Sequence, residues 1–236
     1  MSGLRVFLLV ILISLCQASV ADERILNYES VINIAADGRL TVTETIRVRA
    51  EGNQIRRGIY REFPTRYKDR FGNYYRVDFE VLSVRRDGQA EAWHTREMSN
   101  GVRTYFGSAD HMLNPGVYEY EFMFTTNRQL GFFDEHDELW WNVTGNGWSV
   151  PIEKAQLSFR AKGVGDHTKL NKKYFGAGPT PREWNSPEQL AMSTGGITPG
   201  FGVTALVALP KGYLQEPSRL RLWLWFLGDH NYAVFA

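Results

Sequence analysis

The chain has 236 residues, a formal net charge of +1 at pH 7 and an aromatic content of 14%. A chain this close to neutrality lacks the strongly basic face typical of nucleic-acid-binding proteins, so that class is excluded. Its single cysteine, Cys16, excludes a framework of internal disulfides.

The N-terminal segment has the pattern of a secretory signal peptide. Arg5 precedes an apolar run, and Ser19 and Ala21 supply the small residues that signal peptidase accepts. Residues 1–21 are therefore predicted to be removed, which predicts export to the periplasmic or extracytoplasmic face of a bacterial cytoplasmic membrane. A lipoprotein signal is the alternative, but a leucine stands directly before Cys16, where a small residue is preferred.

Alternation of apolar and polar residues recurs along the rest of the chain and predicts β-strands. The apolar positions that share a strand face are Leu40, Val42, Ile46 and Val48; Val77, Phe79 and Val81; Tyr118, Tyr120, Phe122 and Phe124; Ala155, Leu157 and Phe159; and Phe201, Val203, Ala205, Val207 and Leu209. Turn sequences rich in Gly, Asn and Asp separate many of these runs. We predict an all-β fold, an antiparallel β-sandwich with long loops, with its main domain at residues 22–162.

Glu44 interrupts the apolar face of the first predicted strand. It shares that face with Val42 and Ile46, where a carboxylate is costly to bury unless it is paired. We therefore expect an arginine, Arg57 or Arg61, to reach it. The alternative is an edge position where this face is open to water.

A basic segment follows at residues 51–72. Between positions 56 and 70 it carries six basic side chains and two acidic ones. Arginines interleaved with tyrosines can grip carboxylates or phosphates; the alternative is that these side chains are solvated or pair with acids of the same domain. The candidate binding residues, including two tryptophans further along the chain, are Arg56, Arg57, Tyr60, Arg61, Trp140 and Trp148.

An acidic segment comes directly before another predicted strand and consists of Asp134, Glu135, His136, Asp137 and Glu138. Its spacing lacks the distributed ligands and the glycine of a calcium loop, and one histidine is a poor start for zinc, so no metal site is predicted. Two of its carboxylates could act as acid and base of a glycosidase. The other interpretations are a solvated or salt-bridged loop and a contact with a ligand or ion. In the strand that follows, alternation places Leu139, Trp141 and Val143 on one face and Trp140 and Asn142 on the other.

The C-terminal third departs from alternation. Residues 163–222 are rich in Gly, Pro, Lys and Asn and are predicted to form an irregular excursion and a closing strand. A short helix is expected at residues 186–192, because Ser186 can cap it and Pro187 stands at the first helical position. Residues 223–236 are interpreted as a juxtamembrane segment truncated before a transmembrane helix, or alternatively as an edge strand with a frayed tail.

Two long and unusual stretches, RRGIYREFP and WNVTGNGW, resemble the N-terminal domain of the predicted membrane proteins grouped as domain-of-unknown-function family 2207. The resemblance is good over residues 25–159 and looser over the rest of the chain. It implies a signal peptide, a β-rich domain outside the cytoplasmic membrane and transmembrane helices after it, and this chain ends before such helices. The resemblance implies no activity, ligand or catalytic residue.

We therefore expect a non-enzymatic, membrane-tethered module of the bacterial envelope that binds a ligand or a protein. Its expected partners are the membrane and an anionic glycan, a lipid headgroup or an envelope protein. No cofactor is predicted, because the sequence has neither a glycine-rich phosphate loop nor a Walker motif. The alternatives are a glycan-active enzyme that uses the acidic segment, and a structural extracytoplasmic part of a membrane assembly.

Overall fold

The computed structural model describes residues 23–69, 72–161, 173–175, 182–186 and 189–229. The predicted signal peptide and the end of the predicted juxtamembrane segment, residues 230–236, lie outside these ranges. The described elements are β1 (Arg24–Ile34), β2 (Leu40–Ala50), β3 (Ile59–Pro64), β4 (Arg66–Lys68), β5 (Tyr74–Arg76), β6 (Phe79–Arg86), β7 (Gln89–Ala90), β8 (Trp93–Met98), β9 (Gly101–Phe106), β10 (Gly116–Thr126), β11 (Leu130–Phe132), β12 (His136–Asn142), β13 (Ile152–Ala161), β14 (Lys173–Phe175), β15 (Arg182–Ser186), β16 (Gln189–Ile197), β17 (Thr204–Pro210) and the helix α1 (Arg219–Asp229).

An eight-stranded sheet, in the order β15-β16-β13-β1-β2-β10-β6-β7, forms one layer. A three-stranded sheet (β3-β9-β8) and a four-stranded sheet (β11-β12-β17-β14) pack against it. The ring centroids of Phe63 in β3 and Phe124 in β10 are 5.3 Å apart, and those of Phe106 in β9 and Phe122 in β10 are 4.8 Å apart. Trp141 in β12 reaches the same aromatic cluster, 5.9 Å from Phe63. The predicted all-β sandwich is confirmed.

Alternation correctly predicts which strand faces form the core. The neighbouring strands β1, β2 and β10 are in register at Tyr28, Ile46 and Tyr120, and all three side chains are fully buried. Phe201 is an exception, because β17 begins only at Thr204 and the Phe201 side chain is exposed.

The direction of one strand pair was not predicted. β1 pairs antiparallel with β2 on one side and parallel with β13 on the other. Alternation reports which face a side chain occupies and carries no information on strand direction, so the sequence pattern could not reveal this pairing.

The short helix of the C-terminal third exists, but its predicted position is wrong. The segment expected to be helical contributes to β16, which pairs with β13 so that Leu190 lies opposite Phe159 and Met192 opposite Leu157. Sheet pairing here overrides a weak local helix preference. The described residues between 173 and 210, inside the segment predicted as an irregular excursion and a closing strand, supply β14 to β17 to the two larger sheets.

The helix of this region is α1, and none of its residues is buried as a whole by the described part of the chain. Its C-terminal residue Asp229 accepts hydrogen bonds from Arg128, at 2.6 and 3.1 Å, and from the backbone N–H of Arg76. In the described part of the chain, no helix is long and apolar enough to span a membrane.

Candidate functional site

A buried ion pair joins the two layers of the sandwich. Arg61 lies on the inward face of β3, where its Nε is 3.0 and 3.2 Å from the two carboxylate oxygens of Glu44 in β2, and its Nη2 donates to Oε1 at 3.0 Å. Arg61 Nε also donates to the hydroxyl of Tyr28 at 2.9 Å. Both charged side chains are almost fully buried, so the predicted pairing of Glu44 with an arginine is confirmed, with Arg61 as the partner.

The environment of the buried ion pair shifts the pKa values of Arg61 and Tyr28. Burial alone lowers the pKa of Arg61, but the charge of Glu44 and the hydrogen bonds to Glu44 and Tyr28 more than offset this, so the pKa is raised. Burial raises the pKa of the Tyr28 hydroxyl well above its ordinary value. The arginine therefore stays charged and the tyrosine neutral at any physiological pH.

The loop after β12 is built directly on this arginine. Gly145 has a φ of +72°, and a Cβ at this position would overlap the Arg61 guanidinium. Asn142 Oδ1 accepts the N–H of Gly145 at 2.8 Å, and Trp148 Nε1 donates to the carbonyl of Thr144 at 2.7 Å. The two unusual sequence stretches, RRGIYREFP and WNVTGNGW, therefore meet in space.

A cleft of about 500 Å³ opens beside this contact, between the three-stranded sheet and β12. Trp140 lies on its wall with 54% of its surface exposed, whereas Trp141, also on the wall, is 3% exposed. Trp141 Nε1 has no hydrogen-bond partner among the described residues. The side-chain amides that line the cleft belong to Asn100, Gln129, Asn142 and Asn146.

Glu62 supplies the single carboxylate among the described residues that line the cleft. It is already paired with Arg103 of the neighbouring strand β9, whose Nε donates to Glu62 Oε1 at 2.9 Å and whose Nη2 also contacts that oxygen. Hydrogen bonds to Tyr105 and Glu62 raise the pKa of Arg103. The cleft is therefore nearly neutral, and its polar character comes from amides.

The structure does not bring the six candidate binding residues onto one surface. Arg61 and Trp148 are buried, while Trp140 is on the cleft wall. Arg56, Arg57 and Tyr60 line a separate pocket. The rings of Tyr60 and Trp148 stack 6.5 Å apart, so Trp148 supports the tyrosine from within.

The acidic segment lies at the tip of the β11-β12 hairpin. Asp134 and Glu135 are exposed in its turn, while His136, Asp137 and Glu138 belong to β12. Asp137 is buried and accepts a hydrogen bond from Lys211 Nζ at 2.8 Å, and His136 Nε2 is 3.6 Å from Glu138 Oε2.

None of these acidic-segment residues is among the described residues that line the cleft. In the described ranges, no group of three or more His, Cys, Asp or Glu residues is arranged to hold a metal ion. The acidic segment is therefore the tip of a hairpin, and Lys211 pairs with one of its carboxylates.

Sequence reasoning missed most of the cleft lining. Asn100 and Asn146 were visible only as turn residues, and nothing in their spacing distinguishes a ligand-facing amide from an ordinary turn amide. Trp140 was found, because alternation after the acidic segment correctly places it on the outward face and Trp141 on the inward face.

These features define an all-β sandwich domain with an amide-lined cleft between its sheets. The chain belongs to the family described as predicted membrane protein (DUF2207) N-terminal domain, whose model matches residues 24–209. The family resemblance seen in the sequence is therefore confirmed.

A relative in Escherichia coli (strain K12), the uncharacterized protein YciQ, is 27% identical over 143 residues, which are 61% of this chain and 23% of YciQ. The chain thus spans about a quarter of the length of this relative. Native yeast LTA4 hydrolase shares the fold with a TM-score of 0.51 at 11% identity, over 79% of this chain and 29% of the hydrolase. An M1 zinc metallopeptidase from Deinococcus radiodurans is similar at a TM-score of 0.43 and 10% identity, over 78% of this chain and 42% of the peptidase.

Proposed function

We propose that this domain is the extracytoplasmic, non-enzymatic binding module of a bacterial membrane protein and that its cleft binds a glycan. Membership of a family of predicted membrane proteins supports the proposal that this domain is part of a membrane protein. The pattern of residues 1–21 supports export. One observation supports a glycan as the ligand: the cleft has an exposed tryptophan and four side-chain amides on its walls.

The chemistry of the lining matches sugars. An amide side chain both donates and accepts hydrogen bonds, as does a sugar hydroxyl. Trp140 offers an exposed apolar ring against which the C–H face of a sugar can pack. A volume of about 500 Å³ lies within the range of small-ligand sites.

The site is also rigid before any ligand arrives. Arg61, which lines the cleft, is fixed by Glu44 and Tyr28, and the loop with Gly145 and Asn146 rests on it. A preorganised site loses less conformational entropy on binding, which raises the affinity of a given set of contacts.

The distribution of carboxylates favours binding over hydrolysis at this cleft. Both common glycosidase mechanisms need two carboxyl groups on either side of the scissile bond. Among the described residues, Glu62 is the one carboxylate on the cleft walls, and it is paired with Arg103.

The test is binding of the full chain to an array of bacterial envelope glycans. We expect Trp140→Ala to weaken the glycans bound by the wild type at least about tenfold, because a lost aromatic stacking contact costs on the order of 1.4 kcal/mol. Trp93→Ala is the matched control, since Trp93 is also exposed but lies on β8 outside the cleft lining. Wild-type chain that binds no glycan, equal binding by the Trp140 variant, or release of cleaved sugar would refute the proposal.

A further inference from the structure

A second pocket, of about 320 Å³, lies on the outer side of the three-stranded sheet, and we call it the arginine pocket. Its described lining comes from the loop before β3, from His94 of β8 and from the end of β9. Arg56 and Arg57 are exposed at this pocket. Within the described structure, neither guanidinium has an ion-pair or hydrogen-bond partner, in contrast to Arg61 and Arg103.

The loop that presents these arginines is held at several points. The carboxylate of Glu23 accepts backbone N–H groups of residues 51, 53, 54 and 55. The carbonyl of Arg56 accepts the N–H of Leu113 at 2.8 Å. At Gly58, with a φ of +140°, a Cβ would overlap the carbonyl oxygen of Phe106, so the loop lies directly on the end of β9.

The floor of the pocket is a row of aromatic rings across three strands. His94, Tyr105 and Tyr60 are cross-strand partners. The His94 and Tyr105 rings stack 4.8 Å apart, and the Tyr60 and Tyr105 rings are 5.9 Å apart. The guanidinium of Arg103 lies 4.4 Å from the centroid of Tyr60, and that of Arg96 lies 5.7 Å from the centroid of Tyr105.

The charge of this surface has one sign. No carboxylate is among the described residues that line the arginine pocket. Glu62, on the same sheet face as Tyr60, is already paired with Arg103. Asp110 follows the pocket along the chain but is outside its lining. An anion that enters the pocket therefore meets unpaired positive charge without a competing carboxylate.

We propose that the arginine pocket binds a phosphoryl group. Two arginines that are adjacent in the sequence line the pocket. A guanidinium group offers parallel N–H donors in a fork geometry that matches phosphate oxygens, and such charge-assisted bonds are the stronger class. The aromatic floor excludes water from one side, which strengthens the electrostatic attraction. This site is separate from the cleft and does not depend on a glycan binding there.

The test is titration of the full chain with inorganic phosphate at constant ionic strength, followed by NMR shifts of the Gly58 and Gly107 amides at the pocket. We expect saturable shifts in the wild type that disappear in the Arg56→Ala/Arg57→Ala variant. The matched control is Arg66→Ala/Lys68→Ala, which removes two exposed positive charges of β4 outside the pocket and should keep the shifts. Absence of saturable shifts in the wild type, or equal shifts in the Arg56/Arg57 variant, would overturn the proposal.

A second arm identifies the source of the phosphoryl group. Vesicles of phosphatidylglycerol are compared with vesicles of phosphatidylcholine, which carries the same phosphate beside a positive charge. If the Arg56/Arg57 variant loses binding to phosphatidylglycerol vesicles as well as to phosphate, the pocket takes a lipid headgroup. If it loses phosphate binding alone, the pocket takes a phosphoryl group of a soluble or polymeric ligand. Both outcomes support a phosphoryl site and differ only in its natural occupant.

Discussion

At the scale of single residues, Arg61 and Glu44 form the contact on which the cleft rests. Removing one partner of a buried ion pair leaves the other charge uncompensated, which costs about 3–5 kcal/mol. We therefore expect Arg61→Met to lower the free energy of unfolding by that amount, measured by urea denaturation. The double variant Arg61→Met/Glu44→Leu should recover most of the loss, because two apolar side chains of similar shape remove both charges. If the double variant is as unstable as the single variant, the loss of stability does not come from an uncompensated buried charge, and the prediction is wrong.

Glu23 has a comparable role at the edge of the sandwich. Burial alone raises the pKa of its carboxyl, but the backbone N–H groups of residues 51, 54, 53 and 55 outweigh burial, so the pKa is lowered. A lowered pKa in the folded state means that the stabilisation is fully present above the ordinary pKa of about 4.5 and is lost as the pH falls through the folded-state value. We expect Glu23→Gln to cost about 1–2 kcal/mol at pH 7 and progressively less as the pH falls below about 4.5, as measured by a series of urea unfolding curves across this range.

The control for this prediction is Glu153→Gln. Glu153 forms a partly exposed ion pair with Arg24, at 2.7 Å, and such pairs contribute about 0–1 kcal/mol. A Glu23→Gln cost that equals that of the control, or that does not fall with pH, would contradict the assigned role of the carboxylate.

At the scale of elements, the approach of the loop before β3 to β9 depends on a glycine. Gly58→Ala should destabilise the fold by roughly 3 kcal/mol or more, because it adds a clash with the backbone of Phe106 to the strain of a positive φ. Gly52→Ala, in the same loop, has a φ of +82° and open space around its Cβ, so it should cost only about 1 kcal/mol. Thermal unfolding of both variants measures how much the close contact between Gly58 and Phe106 contributes to stability. Equal losses of stability in the two variants would contradict this prediction.

At the scale of the whole molecule, the sequence predicts which face of each strand is buried, but it does not predict which strands lie next to each other. Alternation identified the buried sides of β2, β10, β13 and most of β17. The cost of burying an unpaired carboxylate at Glu44 predicted an arginine partner, and Arg61 is that partner. Alternation could not show that Trp140 lines one pocket while Arg56 and Arg57 line another, because that depends on which strands are adjacent in space. The helix α1 was missed because most of its apolar residues are exposed, so no buried face produced a helical pattern in the sequence.

The central place of β1 determines when this protein can finish folding. β1 is the first described strand to be synthesised, yet one of its two neighbours is β13, and the Arg24–Glu153 contact that closes this pairing joins residues 129 positions apart. Until β13 is made, one edge of β1 has exposed backbone donors and acceptors, which invite pairing with other chains. Pairing over such a sequence distance is also slow. A nascent chain of this protein therefore stays vulnerable to misassembly until β13 has been made, and a chaperone that shields strand edges would protect β1 during that interval.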